Sequence, residues 1–302
     1  MKQKLFLAVL GVSLALAGCA TSSTLLVPAT ERDPVQIDGE NPPALAEINF
    51  NSYGDRINGI LYQAGGIGPH PTVILLHGYP GNEKNLDLAQ SMRRAGFNVL
   101  FFHYRGAWGS GGDFSFTHVV EDVGSAADFL RENANKYRVD PDQILMIGHS
   151  MGGFAALQGA AREKAVTCVA GIAPADVGRI ADIAKSDADF ERSFADGADA
   201  LPMLSGWSGQ KVTAELRANR DAFSLIDLAP KLAGKSVLLI AGDTDTVIAP
   251  DVFHTPLVAA YAAQPDITLT HAVITGDHSF SWSRIELTNR VLEWAQKCES
   301  AQ

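Results

Sequence analysis

Gly148-His149-Ser150-Met151-Gly152 sets a serine between two glycines, each two positions away. The residues before it, 144–147, are apolar, and Gly153, Phe154 and the alanine-rich segment after it favour a helix. A strand that turns sharply into a helix through Gly-x-Ser-x-Gly projects the serine hydroxyl and leaves the first helix amides beside it. A serine hydroxyl is a weak nucleophile at neutral pH, so it needs a general base, usually a histidine oriented by a carboxylate. The last third of the chain offers such groups in two loops, Gly242-Asp243-Thr244-Asp245-Thr246-Val247 and Gly276-Asp277-His278-Ser279-Phe280, each just past an apolar run. The chemistry implied is attack of Ser150 on an acyl carbonyl, with His278 moving the proton. Spacing alone leaves both Asp243 and Asp245 open as the acid.

These groups need a frame, and the hydropathy pattern supplies one. Alternation over 46–50 and 57–62, around Tyr53-Gly54-Asp55, predicts a β-hairpin. Strand-like runs at 72–76, 99–102, 144–147 and 166–172 then alternate with helical spacing at 86–94, 119–133 and 154–162. Continuous hydrophobic strands between amphipathic helices imply a mostly parallel sheet covered on both faces, an α/β fold. From 174 to 232 that rhythm is lost in a stretch rich in Ala, Asp and Ser, with helical spacing at 213–223, which reads as an inserted helical cap. Alternation resumes with a strand at 236–241, a helix near 251–263, a strand at 268–274 and a helix at 284–297. Both candidate loops therefore fall at carboxyl ends of strands, where α/β sheets place their sites.

Five motifs in order, His77-Gly78-Tyr79-Pro80-Gly81, Tyr104-Arg105-Gly106 with Gly109-Ser110-Gly111, Gly148-His149-Ser150-Met151-Gly152-Gly153, Gly242-Asp243-Thr244-Asp245 and Asp277-His278-Ser279-Phe280, give residues 47–297 a further meaning. This stretch resembles an α/β hydrolase, close to the dipeptidyl aminopeptidase and acylaminoacyl-peptidase group. The resemblance implies the α/β-hydrolase fold and a triad of Ser150, Asp245 and His278, with Asp243 as the fallback acid. It also implies an oxyanion hole whose donors are the backbone amides of Tyr79 and Met151. Relatives of this kind cleave carboxylic esters, thioesters or peptide bonds near an N-terminus, through an acyl-enzyme and without a cofactor or metal. The large peptidases of the group add an N-terminal propeller for which this chain has no room, which tilts the expectation toward an esterase over an aminopeptidase-like enzyme or a thioesterase.

The N-terminus carries a separate message. Lys2 and Lys4 precede an apolar stretch at 5–17, too short to span a bilayer, as in an export signal. Leu16-Ala17-Gly18-Cys19 resembles the lipobox of bacterial lipoproteins, where the chain is cut before the cysteine and the thiol takes a diacylglycerol. The expected organisation is a signal at 1–18, a flexible tether at 19–46 with four prolines, and a hydrolase domain at 47–302. Lipidated Cys19 would make the membrane a partner through its anchor. Ala20, where an Asp would suggest inner-membrane retention, favours the outer membrane facing the periplasm by likeness to Gram-negative lipoproteins. Removing two lysines with the signal takes the net charge from -10 to -12, which argues against nucleic acid as a partner. Of the remaining cysteines, Cys168 and Cys298 could pair in an oxidising compartment or stay as two free thiols.

Other features carry less. Gly106-Ala107-Trp108-Gly109-Ser110-Gly111-Gly112 lacks the register and the lysine of a phosphate loop. Trp108, Phe114 and Phe116 could line a substrate cleft or simply anchor loops, while Arg105 and His149 read as supports of the site. His103, His118, His254 and His271 show no metal-ligand spacing. Leu201, Met203, Leu204 and Trp207 could form an apolar acyl site in the cap. The expected partner is a small-molecule or peptide acyl substrate, and the oligomeric state is unspecified. Rival readings are an envelope lipoprotein using the fold as a binding scaffold, and a triad put to perhydrolysis or lyase chemistry.

Overall fold

The apolar runs pair into one sheet of eight strands among the described residues, in the order β1-β2-β4-β3-β5-β6-β7-β8. The strands are β1 (Ala44–Ser52), β2 (Asp55–Gln63), β3 (His70–Leu76), β4 (Asn98–His103), β5 (Val139–His149), β6 (Cys168–Ile172), β7 (Ser236–Gly242) and β8 (Thr268–Ile274). The hairpin β1–β2 and the β2–β4 pair are antiparallel, and every pair from β4 through β8 is parallel. This is a computed structural model, and it describes residues 31–34 and 37–300. The expected signal and Cys19 lie outside the described residues, as does much of the expected tether. No helix of the described residues is long and apolar enough to cross a membrane.

Alternate side chains of the buried strands go to opposite faces, and each face has its own core. Ile74, Leu76 and Met146 join one cluster with Val119, Val123, Phe154 and Leu157, from α2 (Phe116–Glu132) and α4 (Met151–Arg162). Val73, Leu75 and Ile147 join the other with Leu88 and Met92 of α1 (Leu86–Arg94) and Leu287 and Val291 of α9 (Arg284–Ser300). Burial on both faces is why β3 reads as an unbroken apolar run, and all seven of its residues are buried. A short α3 (Ala134–Tyr137) precedes β5, and α8 (His254–Ala262) joins β7 to β8.

Between β6 and β7, the stretch expected as a cap holds α5 (Val177–Ser186), α6 (Ala188–Asp199), α7 (Gly209–Asn219) and a short 3-10 turn (Ala229–Leu232). Each of the three α-helices has a side-chain cap at its start. Asp176 accepts from Arg179 N–H, Asp187 from Asp189 and Phe190 N–H, and Ser208 from Lys211 N–H. Two boundaries differ from the sequence reading. The helix expected at 213–223 starts four residues earlier, at the Ser208 cap. The first strand starts at Ala44, inside the expected tether, because Ala44–Ala46 continue the hairpin ladder opposite Leu61–Gln63. Cys168 of β6 and Cys298 of α9 form a disulfide, which settles the pairing that spacing left open; both sit in the core on the α9 face.

Candidate active site

Ser150 stands at the turn from β5 into α4 with φ 57° and ψ -121°, a conformation that non-glycine residues rarely adopt. Its N–H donates to Ile172 O at 2.9 Å and its carbonyl accepts from Ala175 N–H at 3.0 Å, so the neighbouring strand end holds the turn in place. The glycines of the motif are needed for space. A Cβ on Gly148 would stand 1.9 Å from Gly152 O, and one on Gly152 would stand 2.1 Å from Leu76 O. The chain after β3 comes equally close, since a Cβ on Gly78 would lie 3.0 Å from the Ser150 Cβ. Met151 is the first residue of α4, where amides have no partner within the helix, and Tyr79 is next to Gly78. Both residues whose amides were expected as oxyanion donors thus flank the serine.

The loops after β7 and β8 are joined to each other and to this turn. Thr244 N–H donates to Gly276 O at 3.0 Å, and Gly276 N–H donates to Asp243 Oδ1 at 3.0 Å. Asp243 is therefore spent on the adjoining backbone. Asp245 instead reaches the imidazole, its Oδ2 accepting from His278 Nδ1–H at 2.7 Å. The other oxygen, Oδ1, accepts from Val247 and Ile248 N–H, both at 2.8 Å. Burial alone would push the Asp245 carboxyl up, but the bonds from His278, Ile248 and Val247 outweigh it and hold the carboxyl below the usual carboxylate range.

The loop that carries His278 is tied to the serine turn by His149, the residue before Ser150. His149 Nε2–H donates to His278 O at 2.7 Å, and the two rings lie 4.7 Å apart. Burial drives the His149 pKa down to about 3, so it is a neutral donor and fixes the His278 loop without carrying charge. The far side of that loop is held by Arg284, which donates to Ser279 O and Asn85 Oδ1 at 3.0 Å. Arg105, expected as a support, gives its Nε–H to Asp122 Oδ1 at 2.6 Å and its N–H to Oδ2 at 2.7 Å. That buried pair anchors the loop after β4.

Asp245 and His278 are thus bonded across the ends of β7 and β8, and their loops are tied to the Ser150 turn through His149. A model of the alpha/beta hydrolase family matches residues 73–291. The chain belongs to this family. Among curated proteins it is similar to "Uncharacterized protein YfhR" of Salmonella typhimurium, with 34% identity over 83 residues, which is 27% of this chain and 27% of that relative's length. The fold is similar to that of the Pyrococcus furiosus esterase Pf2001, at TM-score 0.62 and 19% identity, covering 84% of this chain and 91% of that one. It is also similar to a Pyrococcus horikoshii acylaminoacyl peptidase, at TM-score 0.63 and 15% identity, covering 84% of this chain but 41% of that one. Hydrolase membership and the fold stand on these matches together with the sheet.

The aromatics that the sequence left undecided prove to be packed. Phe114 and Phe116 are each 2% exposed, and both touch the Tyr79 ring at 6.0 Å and the Trp207 ring at 5.1 and 5.5 Å. Ala175, whose N–H holds the Ser150 carbonyl, forms a small cluster with Ile248 and Phe253, against which Ile180, Ile183 and Val252 pack. Sequence reasoning did not find the two indole hydrogen bonds to the chain after β3. They join residues 28 and 128 positions apart, and no local pattern records such contacts.

Proposed function

We propose that this hydrolase is a serine esterase acting through an acyl-enzyme, with Ser150, His278 and Asp245 as its triad. The observation that carries the reading is the 2.7 Å bond from His278 Nδ1–H to Asp245 Oδ2, on a loop that His149 ties beside the serine turn. Asp245 fixes the imidazole with its Nδ1 protonated, leaving Nε2 free to take the Ser150 proton as Oγ attacks the carbonyl carbon. The tetrahedral oxyanion is held by the Tyr79 and Met151 amides. His278 Nε2–H then protonates the departing alcohol oxygen, the C–O bond breaks, and the acyl-Ser150 ester remains. Water, deprotonated by the same nitrogen, releases the carboxylic acid and restores the serine.

Apolar groups near the turn support a neutral ester substrate. Tyr79 packs with Phe194 and Trp207 of the insertion, and Ile180 of α5 packs with Ile248 and Phe253 from the segment after β7. The likeness to an acylaminoacyl peptidase favours a second reading, an aminopeptidase-like hydrolase. A panel of p-nitrophenyl esters of graded acyl length, run beside aminoacyl anilides, separates the two. Turnover of esters that disappears in Ser150→Ala is expected; selective turnover of the anilides would replace the esterase reading with the peptidase one.

The same protein is proposed to be exported and held to the cell envelope by lipid on Cys19. The charged start, apolar stretch and Leu16-Ala17-Gly18-Cys19 support this, and the Cys168–Cys298 disulfide suits an oxidising compartment. Cys19→Ala should move the protein from the membrane to the soluble fraction of expressing cells. Retention at the membrane would remove the anchor from the account.

A further inference from the structure

The oxyanion donor expected at Tyr79 sits in a loop, and a loop amide is useful only if it is held still. Donors in such holes work at 2.7–3.1 Å from the developing charge, and displacement of the order of 1 Å removes much of their effect. Two indoles approach this loop at consecutive residues. Trp108 Nε1–H donates to Pro80 O at 2.7 Å, and Trp207 Nε1–H donates to the Tyr79 hydroxyl at 3.0 Å. One comes from the loop after β4 and the other from the segment between α6 and α7.

The two indoles are themselves tied together. Trp108 N–H donates to Met203 O at 3.0 Å, Ser205 N–H to Gly106 O at 2.7 Å, and Phe114 N–H to Ser205 O at 2.9 Å. The Trp207 ring meets Phe114 and Phe116 edge to face, at 81° and 85°. Trp108 stacks on His103 at 6.0 Å and lies under the Lys84 ammonium at 4.9 Å. Burial pushes the Tyr79 hydroxyl up to about 12, so it stays a neutral phenol able to accept the indole N–H.

We infer that Trp108 and Trp207 are positioning residues that clamp Tyr79–Pro80 so that the Tyr79 amide faces the oxyanion, and that the helical insertion thereby forms part of the catalytic apparatus. The inference rests on the proposed hydrolase reading. It gives Tyr79 two separate duties: its amide binds the oxyanion, and its side chain holds that amide in register through Trp207. An aromatic wall for the substrate would need only the rings; a clamp needs the indole N–H and the phenol oxygen.

Tyr79→Phe removes the acceptor and Trp207→Phe the donor of one bond, and each keeps an aromatic ring. With a short-chain p-nitrophenyl ester, each variant should lower kcat about tenfold, less than the hundredfold or more expected for loss of an oxyanion donor, and leave KM within about twofold. The double variant should match either single, because all three lack the same bond. Affinity for a boronic acid, which forms a tetrahedral adduct on the serine, should fall by the same factor as kcat/KM. Trp108→Phe should show the same split, multiplying with Trp207→Phe. If wild type turns the ester over and the Tyr79→Phe and Trp207→Phe variants keep its kcat, or change KM alone, or multiply in the double variant, the clamp is overturned. A wild-type protein that neither turns over esters nor takes the boronate would instead overturn the hydrolase reading, and the clamp with it.

Discussion

Asp245→Asn lowers kcat for ester hydrolysis by on the order of 10⁴, while Asp243→Asn costs less than about tenfold; that contrast is the largest expected from the loop after β7. The two side chains are two positions apart and chemically identical, so their surroundings decide the difference. Asp245 Oδ2 takes the His278 Nδ1 proton at 2.7 Å, and Oδ1 is fixed by two backbone amides. An asparagine there keeps the volume, but with its oxygen on the amides it presents N–H to Nδ1. The imidazole must then turn Nδ1 into an acceptor and place its proton on Nε2, the nitrogen that receives the Ser150 proton in the proposed mechanism. Asp243 meets Gly276 N–H at 3.0 Å, and an asparagine oxygen can accept the same bond. Steady-state kinetics on the two variants checks this. Equal losses, or the larger loss at Asp243, would move the acid to the other residue.

Folding stability should collapse on mild acidification, chiefly through histidines outside the reacting set. His77, His149 and His254 are buried, at 1%, 3% and 4% exposure. Burial pushes their pKa values from 6.5 to about 3, about 3 and about 4. The unfolded chain therefore takes up protons from pH 6.5 downward while the folded chain refuses them until about pH 4 to 3. In that window stability falls as pH falls, by on the order of 1 kcal/mol per pH unit for each histidine, or a few kcal/mol per unit together. Above the window neither state is protonated and the contribution is level. Asp122 and Asp176, whose pKa values burial raises, work in the opposite sense at the acid end, and Asp245 and Asp87 work with the histidines there. Against a typical domain stability of about 5–15 kcal/mol, the slope is enough to unfold the protein well above pH 3. Urea midpoints followed by tryptophan fluorescence should drop steeply between pH 7 and pH 5. His254→Leu, which removes a ring whose two nitrogens have no hydrogen-bond partner among the described residues, should flatten the slope by about a quarter, since His103, pushed to about 4 by burial, adds to the same slope. Equal midpoints at the two pH values would contradict the account.

Local signals carried most of the fold. Runs such as 72–76 and 46–50 are continuous or alternating because the burial of their faces writes the pattern directly, and Ser150 was legible because a strand-to-helix turn with crowded neighbours demands glycine at 148 and 152. The helices between β6 and β7 were only partly legible. Asp176, Asp187 and Ser208 are ordinary cap residues, but the helices they open lie in a stretch without the strand rhythm that framed the others. The acid could not be chosen from spacing because Asp243 and Asp245 share one loop, and only the fold shows which carboxylate faces the imidazole. The disulfide and the two indole bonds join distant parts of the chain, up to 130 positions apart, and such tertiary contacts leave no periodicity behind.

Labelling with a fluorophosphonate, followed by peptide mapping, tests the central claim most directly, because the reagent requires a serine activated by its base and an oxyanion site to receive the phosphoryl oxygen. The folded wild-type protein should be labelled on the peptide that contains Ser150, and Ser150→Ala should not be labelled. A folded wild-type protein that resists the reagent, or a Ser150→Ala variant labelled as strongly as wild type, would contradict the assignment of Ser150 as the nucleophile.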